Sequence, residues 1–330
     1  MPPHRLIGPS ATATSLLLDA VVAVLAGTPA EAAAAHTRTT IEDLTDAVQA
    51  YHAAGTAALD VRAASVWYHA RIQFPGSETA ERMAATVVAP SLRQLQDDGI
   101  VAGWWFLRKH PWWRLRLRCG LPAADQADAI QAVLDDLLST GVLARWQRGV
   151  YEPETAAFGG PPGIDTAHLL FCADSDEALK YLALRDPVIG RREISVLVCS
   201  VLLAAAGLDI FERGDVWHRV AVLRPEQEHI SRSRIEPAAD ALRTLARAPL
   251  HPAAPPFSCG QPAAFAQSWA QAFHRAGREL KAAADEGLLS RGMRNVLAHI
   301  VIFHWNRLGI SAASQAILAR AAEQACLPPH

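Results

Sequence analysis

The amino-acid sequence predicts an α+β fold, in which a sheet region is preceded by a helical extension and backed by a helical C-terminal half. Three observations lead to this prediction. Residues 1–62 are Ala-rich with helical spacing, residues 65–154 alternate strand-like and helix-like segments, and residues 165–330 return to helical periodicity. Because hydrophobic periodicity is the main local signal of secondary structure, these changes also predict two domains, 1–62 and 65–330.

The N-terminal segment is expected to form helices that break at Gly27-Thr28-Pro29 and around Gly55. Its apolar run at 15–27 is too short to cross a bilayer and contains Asp19, which indicates an amphipathic helix rather than a signal peptide. The 5 cysteines are scattered without C-x-x-C spacing, as is typical of a reducing compartment. We therefore expect a soluble cytoplasmic protein with no membrane partner.

The sheet region is the most informative part of the sequence. Its segments alternate between β-branched or aromatic runs and helical spacing, with a hairpin signal at His110-Pro111 and a predicted helix kink or break at Pro90. The predicted elements are a strand at 65–74, a helix at 79–99, strands at 101–109 and 112–119, a helix at 124–141 and a strand at 142–152. This β-α-β-β-α-β order is that of a ferredoxin-like sheet.

The C-terminal half is predicted to be helical, with one interruption at the Pro-rich loop 249–262. Composition limits the function classes for the whole chain. The 330 residues are 51% hydrophobic and carry 31 Lys+Arg against 33 Asp+Glu, a formal net charge of -2. Binding nucleic acid through bulk electrostatics needs a surplus of Lys and Arg, so we expect no direct nucleic-acid partner.

The third predicted strand, 112–119, contains a row of arginines. Side chains alternate between the faces of a strand, so Arg114, Arg116 and Arg118 are predicted to share one face, opposite Trp113, Leu115 and Leu117. Guanidiniums two residues apart suit the bidentate binding of carboxylates. Because three like charges repel one another, the row needs anionic partners, which either acidic residues of neighbouring strands or a ligand could supply.

Two further groups of polar residues could extend a site. On the first predicted strand, His69 and Arg71 share a face and would enlarge a basic pocket if that strand lies beside the arginine row. On the predicted helix that ends with FHWNRLG, His304 and Arg307 are three residues apart, which places them on one helix face. That pair is read either as a base held neutral by a neighbouring cation or as two groups interacting with the helix dipole.

The loop after the last predicted strand, YEPETAAFGGPPG at 151–163, supplies Glu154 and Glu152 as candidate acids, bases or partners of the arginine row. Its Gly/Pro run is predicted to form a tight turn. The loop has neither the strand-helix context nor the Lys of a phosphate-binding loop, so nucleotide binding is not predicted.

Four segments in order, WWFLRKHPWWRLRLR, YEPETAAFGG, LLFCADSDEAL and FHWNRLG, resemble the thiopeptide-type bacteriocin biosynthesis proteins. These proteins are similar to the small C-terminal domain of class I lanthipeptide dehydratases and are related to thiopeptide pyridine synthases. The resemblance covers residues 65–325. It implies an enzyme that tailors a ribosomally made precursor peptide, without a metal or an organic cofactor.

The resemblance implies two candidate reactions. The first is elimination of glutamate from glutamylated Ser or Thr, a carbon-oxygen lyase reaction that leaves dehydroamino acids. The second is a formal [4+2] cycloaddition of two dehydroalanines with release of the leader peptide. A third reading, from a different class, is a non-catalytic subunit that docks the peptide.

The resemblance implies that Arg114, Arg116 and His304 are catalytic. Substrate contacts are expected from Arg118, His69, Arg71, Glu154 and Arg307. Two departures keep the cycloaddition reading open: the family's R-Y-G-G reads AFGG from Ala157, and the His of its P-H-x-R-L-R is Trp112. The expected partners are a precursor peptide, a glutamyl-tRNA-dependent dehydratase large subunit and, as an open alternative, a second copy of the chain in a homodimer.

Overall fold

The computed structural model describes residues 11–37, 39–65, 67–119, 124–225, 232–247 and 250–327. The chain divides into two compact units, residues 1–65 and 66–330.

The N-terminal unit contains three helices, α1 (Ala11–Leu25), α2 (Ala30–Thr37) and α3 (Ile41–Ser65). Its described core consists of Ala20, Val21, Ala33, Ala34 and Leu44. The predicted break after Gly27 is confirmed, because α1 ends before it and α2 begins after Pro29. The predicted break at Gly55 is wrong, since α3 continues through it. A single glycine costs a helix only about 1 kcal/mol relative to alanine, which the rest of a long helix offsets.

The second unit begins with an antiparallel sheet of four strands in the order β2-β3-β1-β4. The strands are β1 (Trp67–Gln73), β2 (Val101–Lys109), β3 (Trp112–Cys119) and β4 (Arg145–Gly149). The predicted bounds of β2 and β3 are confirmed to the residue. The last strand is shorter than the predicted 142–152, because its pairing with β1 runs only from Arg145 to Gly149.

Helices connect these strands on the apolar side of the sheet. They are α4 (Ser77–Met83), a π-helical turn (Ala84–Val88), α5 (Ala89–Asp97) and α6 (Ala124–Ser139). The chain stays helical through Pro90, so the expected kink or break takes the form of the π-helical turn just before it. Proline has no N–H for the carbonyl four residues earlier, and a wider turn accommodates that missing bond.

The helical half comprises seven α-helices among the described residues. They are α7 (Pro161–Leu182), α8 (Arg191–Ala205), α9 (Ile210–Leu223), α10 (Arg232–Arg247), α11 (Gln267–Asp285), α12 (Met293–Leu308) and α13 (Ala312–Cys326), with a 3-10 turn at Ala264–Ala266. The predicted α+β class is confirmed by these elements, whereas the ferredoxin-like comparison stays a prediction. Among the described residues, no helix combines the length and hydrophobicity that a bilayer span requires.

The two faces of the sheet belong to different cores. Leu115 and Leu117 of β3 pack with Tyr68, Ala70 and other residues in a core shared with α5 and α6. On the opposite face, Trp105 joins the large core of the helical half. The predicted alternation on β3 is confirmed, because the leucines are fully buried on the first face and the arginines lie on the second.

Candidate active site

The arginine row lies on the sheet face that is turned toward the helical half. In the β1–β3 register, Arg71 is opposite Arg114, His69 is opposite Arg116, and Trp67 is opposite Arg118. The two polar rows that the sequence predicted are therefore direct neighbours. Directly opposed side chains in an antiparallel pair lie about 5 Å apart at Cβ, so these residues form one continuous basic surface.

Arg116 is the buried centre of this surface, with only 5% of its area exposed. Its guanidinium carbon lies 4.0 Å from the centre of the Trp105 ring and 4.5 Å from that of Tyr151. Burial lowers the pKa of Arg116 to about 10, although the neighbouring Tyr151 acts in the opposite direction. Both aromatic rings lie against the cation but accept no hydrogen bond from it, so N–H groups of the guanidinium are available for a ligand.

His69 sits beside Arg116 and is 5% exposed. Burial, and then the positive charges of Arg116, Arg71 and Arg114, lower the pKa of His69 to about 4. The imidazole is therefore neutral at pH 7. Gly149 of β4 is opposite His69 on the other side of β1. A Cβ at Gly149 would lie only 2.8 Å from His69 Cδ2, so a glycine at this position makes space for the imidazole ring.

A hydrogen-bonded pair lies next to the arginine row. Tyr151 Oη is 2.7 Å from His168 Nε2, and the Trp67 ring centre is 4.8 Å from that of His168. Burial, followed by the charges of Arg116 and Arg118, lowers the pKa of His168 to about 4, and burial raises the pKa of Tyr151. Both groups are neutral at pH 7, so together they can pass a proton without separating charge.

The charges of the row are not balanced by the protein in the part of the chain that the structure describes. There, Arg71, Arg114, Arg116 and Arg118 form no ion pair with a carboxylate. Nε and Nη1 of Arg116 are buried without a hydrogen-bond partner. An unpaired buried donor costs about 1–3 kcal/mol, and more for a charged group, so this arrangement fits an anionic ligand.

Glu154 lies in a turn just after β4 and is exposed. Ala157 N and Phe158 N both donate to the Glu154 carbonyl, at 2.9 and 3.3 Å. Its carboxylate is one of the charges that raise the pKa of Arg116, which places it on the same side of the molecule as the row. The predicted tight turn is only partly correct, because α7 already begins at Pro161, where a proline without an N–H is well tolerated.

His304 and Arg307 lie in the core between α7 and α12, where the Arg307 guanidinium carbon is 4.8 Å from the centre of the Phe171 ring. Both are 0% exposed. Nδ1 of His304 donates to Oδ1 of Asp174 at 2.8 Å, and Nη1 of Arg307 donates to Oδ2 of the same carboxylate. Trp269 Nε1 adds a third hydrogen bond at 2.7 Å. Although burial opposes ionisation, His304 and Arg307 hold the pKa of Asp174 below its ordinary value.

This buried network also fastens the helical half to the edge of the sheet. Arg307 Nε donates to the Phe106 carbonyl at 3.1 Å, and Phe106 N donates to Ser175 Oγ at 3.1 Å. Phe106 belongs to β2, an edge strand whose outward backbone groups have no neighbouring strand. The network therefore satisfies an edge that would otherwise be buried unpaired.

Sequence reasoning missed three residues of this region. Tyr151 and His168 were not singled out because a lone Tyr at a strand end and a lone His in a helix carry no local signal of contact. Asp174 lies in LLFCADSDEAL, where an acidic residue inside an apolar helical stretch is the one available hint of a buried partner. Within the described part of the chain, no cluster of His, Cys, Asp and Glu could hold a metal ion.

The fold is similar to that of several solved structures. The crystal structure of the tRNA-dependent lantibiotic dehydratase MibB from Microbispora sp. 107891 matches with a TM-score of 0.59 and 20% identity, over 79% of this chain and 28% of that chain. The crystal structure of TsrL matches with a TM-score of 0.54 and 18% identity, over 78% and 93% of the two chains. TbtD, a pyridine synthase from thiomuracin biosynthesis, matches with a TM-score of 0.47 and 12% identity, over 79% of this chain and 97% of that chain.

The chain thus spans just over a quarter of the length of MibB. No curated protein matches the sequence. A sequence profile of one family, described as "Lantibiotic biosynthesis dehydratase C-term", matches residues 67–326. That match includes the whole sheet, the arginine row and all the helices of the second unit. The protein belongs to the lantibiotic biosynthesis dehydratase C-terminal family.

Proposed function

We propose that this protein is a carbon-oxygen lyase of lanthipeptide or thiopeptide biosynthesis, which eliminates glutamate from glutamylated Ser or Thr of a precursor peptide. The observation that supports this proposal is the row of guanidiniums on the inner sheet face, which have no carboxylate partner among the residues that the structure describes. The departing glutamate carries two carboxylates, and a planar guanidinium binds a carboxylate through two parallel hydrogen bonds.

In this reaction a base removes the Cα proton of the esterified residue. The electron pair of the C–H bond forms the Cα=Cβ double bond, and the Cβ–O bond breaks with its pair going to the glutamate α-carboxylate, the group through which glutamyl-tRNA delivers the residue. We assign Arg114 and Arg116 to that developing carboxylate, because electrostatic stabilisation of the charge that forms is commonly the largest catalytic contribution. Arg118, Arg71 and His69 border this position and contact the substrate.

His304 and Arg307 receive a different assignment from the one their sequence motif suggested. Each is fully enclosed, and both are bound to Asp174. A base must reach the proton that it removes, within about 3 Å or through one water molecule. We therefore assign the pair a structural role, which is to hold α7 and α12 against β2.

The cycloaddition remains the second candidate function, and the Tyr151–His168 pair is the observation that favours it. Joining two dehydroalanines and forming an aromatic ring requires proton transfers more than a binding site for glutamate. A neutral tyrosine-histidine pair beside aromatic rings could supply such transfers. Partners follow from either function: a precursor peptide and, for elimination, a glutamyl-tRNA-dependent large subunit.

The decisive experiment offers the purified protein a synthetic precursor-type peptide that carries O-glutamyl serine, and follows the products by mass spectrometry. We expect loss of glutamate and a dehydroalanine in its place. A parallel reaction uses a peptide with two dehydroalanines, for which macrocycle plus free leader would instead establish the cycloaddition. Binding without either conversion would establish the docking role.

Variants test whether the arginine row is required for the elimination. Arg114→Ala should leave the glutamyl ester intact, and free L-glutamate, measured by calorimetry, should bind it more weakly than wild type. The matched control is Arg243→Ala, which removes an arginine from an exposed ion pair with Asp240 on α10. Unchanged elimination by Arg114→Ala would assign the arginine row to structure.

A further inference from the structure

The elimination chemistry needs a base, and α12 carries a histidine suited to that work. His299 is half-buried, and its Nδ1 donates to the Asn295 carbonyl at 3.0 Å. A hydrogen bond from Nδ1 fixes the proton on that nitrogen and leaves the Nε2 lone pair as the acceptor. Among the described residues, no hydrogen bond to Nε2 is formed.

The turn that follows Glu154 is hydrogen-bonded to the residues just before α12 and contacts this histidine through Phe158. Arg291 Nη1 donates to the Ala157 carbonyl at 2.9 Å, and Ser290 N donates to the Gly159 carbonyl at 2.9 Å. The ring centres of Phe158 and His299 are 6.3 Å apart. His299 therefore packs directly against the turn rather than facing away from it.

The same turn leads to the arginine row. Tyr151, whose ring lies against the Arg116 guanidinium, precedes Phe158 by seven residues, and the Glu154 carboxylate between them acts on the pKa of both Arg116 and His299. Arg116 thus contacts Tyr151 at the beginning of this segment, and His299 contacts Phe158 in the turn at its end. A substrate that lies along this segment can present a glutamyl group to one end and its Cα to the other.

The surroundings of His299 keep its imidazole neutral. Burial lowers the pKa of His299 first. The hydrogen bond to Asn295 and the Glu154 carboxylate act in the opposite direction, and the charges of Arg291 and Arg224 act with burial. A neutral imidazole can take a proton, and a nearby carboxylate stabilises the imidazolium that results.

The other histidines of this region are less suitable. Burial, and then the charges of three arginines, lower the pKa of His69 to about 4, which makes it a weak base. Nε2 of His168 already shares a hydrogen bond with Tyr151. His304 is fully enclosed and bound to Asp174. His299 alone among these four combines partial exposure, a fixed tautomer and an unoccupied Nε2 in the described structure.

We propose that His299 is the catalytic base that removes the Cα proton of the glutamylated residue, an inference that rests on the proposed elimination. Nε2 accepts the proton, the C–H electron pair becomes the Cα=Cβ bond, and the Cβ–O pair leaves with the glutamate α-carboxylate. The imidazolium then gives its proton to water, which restores the neutral base. The Glu154 carboxylate, whose charge raises the pKa of His299, stabilises the charged state of the histidine during turnover.

The test compares His299→Gln and His299→Ala with wild type and with His218→Gln, which changes an exposed histidine of α9. Single-turnover release of glutamate from the glutamylated peptide is measured, together with binding of free L-glutamate by calorimetry. We expect release to fall about 10²–10⁴-fold in both His299 variants, the usual contribution of a general base, with glutamate binding unchanged. Added imidazole should partly restore release by His299→Ala, which a merely structural role would not predict.

The outcomes separate the two proposals. If wild type releases glutamate and His299→Gln does so as fast as His218→Gln, His299 is not the base, while the elimination function stands. If wild type leaves the ester intact but binds glutamate, the proposed function fails and the base assignment fails with it. Slow release by His299→Ala that imidazole does not raise would also overturn the assignment, since the loss would then reflect structure.

Discussion

Two buried arginines of this protein, Arg307 and Arg116, differ in whether a carboxylate lies beside them in the described structure. Arg307 is 0% exposed, is paired with the Asp174 carboxylate and donates to the Phe106 carbonyl. Arg116 is 5% exposed, lies between two aromatic rings and has no carboxylate partner among the described residues. The first cation is neutralised by the protein itself, and the second is not.

This difference separates a structural charge from a functional one. A buried cation is expensive unless it is paired, so an internal carboxylate is what a purely structural arginine requires. A binding site has the opposite requirement, because an internal partner would compete with the anionic ligand. Arg307 meets the first condition and Arg116 the second, although the sequence places both in motifs that resemble the family's active-site segments.

The largest effect should come from removing the acid that neutralises the first arginine. Asp174→Ala leaves Arg307 and His304 buried without their carboxylate, and breaking a buried pair in this way costs about 3–5 kcal/mol. We expect the free energy of unfolding, measured in urea, to fall by that amount. The matched control Asp240→Ala disrupts an exposed pair and should cost about 0–1 kcal/mol. Equal losses in the two variants would show that the network is not structural.

The second arginine should give the reverse result. Arg116→Met removes an unpaired buried cation, which offsets the cation–π contacts that are lost, worth about 2 kcal/mol when desolvated. We expect the free energy of unfolding to change by less than about 1 kcal/mol, while glutamate release falls about 10²–10³-fold, as when a transition-state donor is removed. A variant that unfolds readily but eliminates normally would place Arg116 in the same class as Arg307.

Acid should destabilise the arginine surface through its two buried histidines. The pKa of His69 and of His168 is about 4 in the folded protein, against 6.5 for an ordinary histidine. The unfolded chain therefore binds more protons below pH 6.5, so stability is present above that pH and is lost as the pH falls toward 4. Each histidine should contribute a loss on the order of 2 kcal/mol between pH 7 and pH 5.

Urea unfolding at pH 7, 6 and 5 measures this effect. Arg116, Arg71 and Arg114 face His69, so their charges act on its protonation whatever the pH in this range. His69→Gln should therefore show a shallower loss of stability toward acid than wild type. Parallel pH dependence in the two proteins would mean that His69 is protonated in the folded state as easily as in the unfolded chain.

The contrast also shows how far sequence reasoning reaches. Alternation along one strand predicted that the arginines share a face, and the bounds of β2 and β3 were predicted to the residue, because both follow from short-range patterns. The partners of the charges could not be predicted, since Asp174 is 130 residues from His304 and 133 from Arg307. Only the packing of α7 against α12 shows that Asp174 neutralises the charge of Arg307. The arginines of β3 are the ones left for a ligand.

The smallest expected effect distinguishes the two candidate roles of His304. Asn at this position keeps a donor close to Nδ1, and so preserves the bond to Asp174, but it has no atom in place of Nε2. His304→Asn should lose about 1–2 kcal/mol of stability, because it leaves space beside Trp269 and Phe273, and glutamate release should stay within twofold of wild type. A loss of release by orders of magnitude in a stable variant would restore His304 as the base. The network would then be an active-site element, and the distinction between the two arginines would no longer hold.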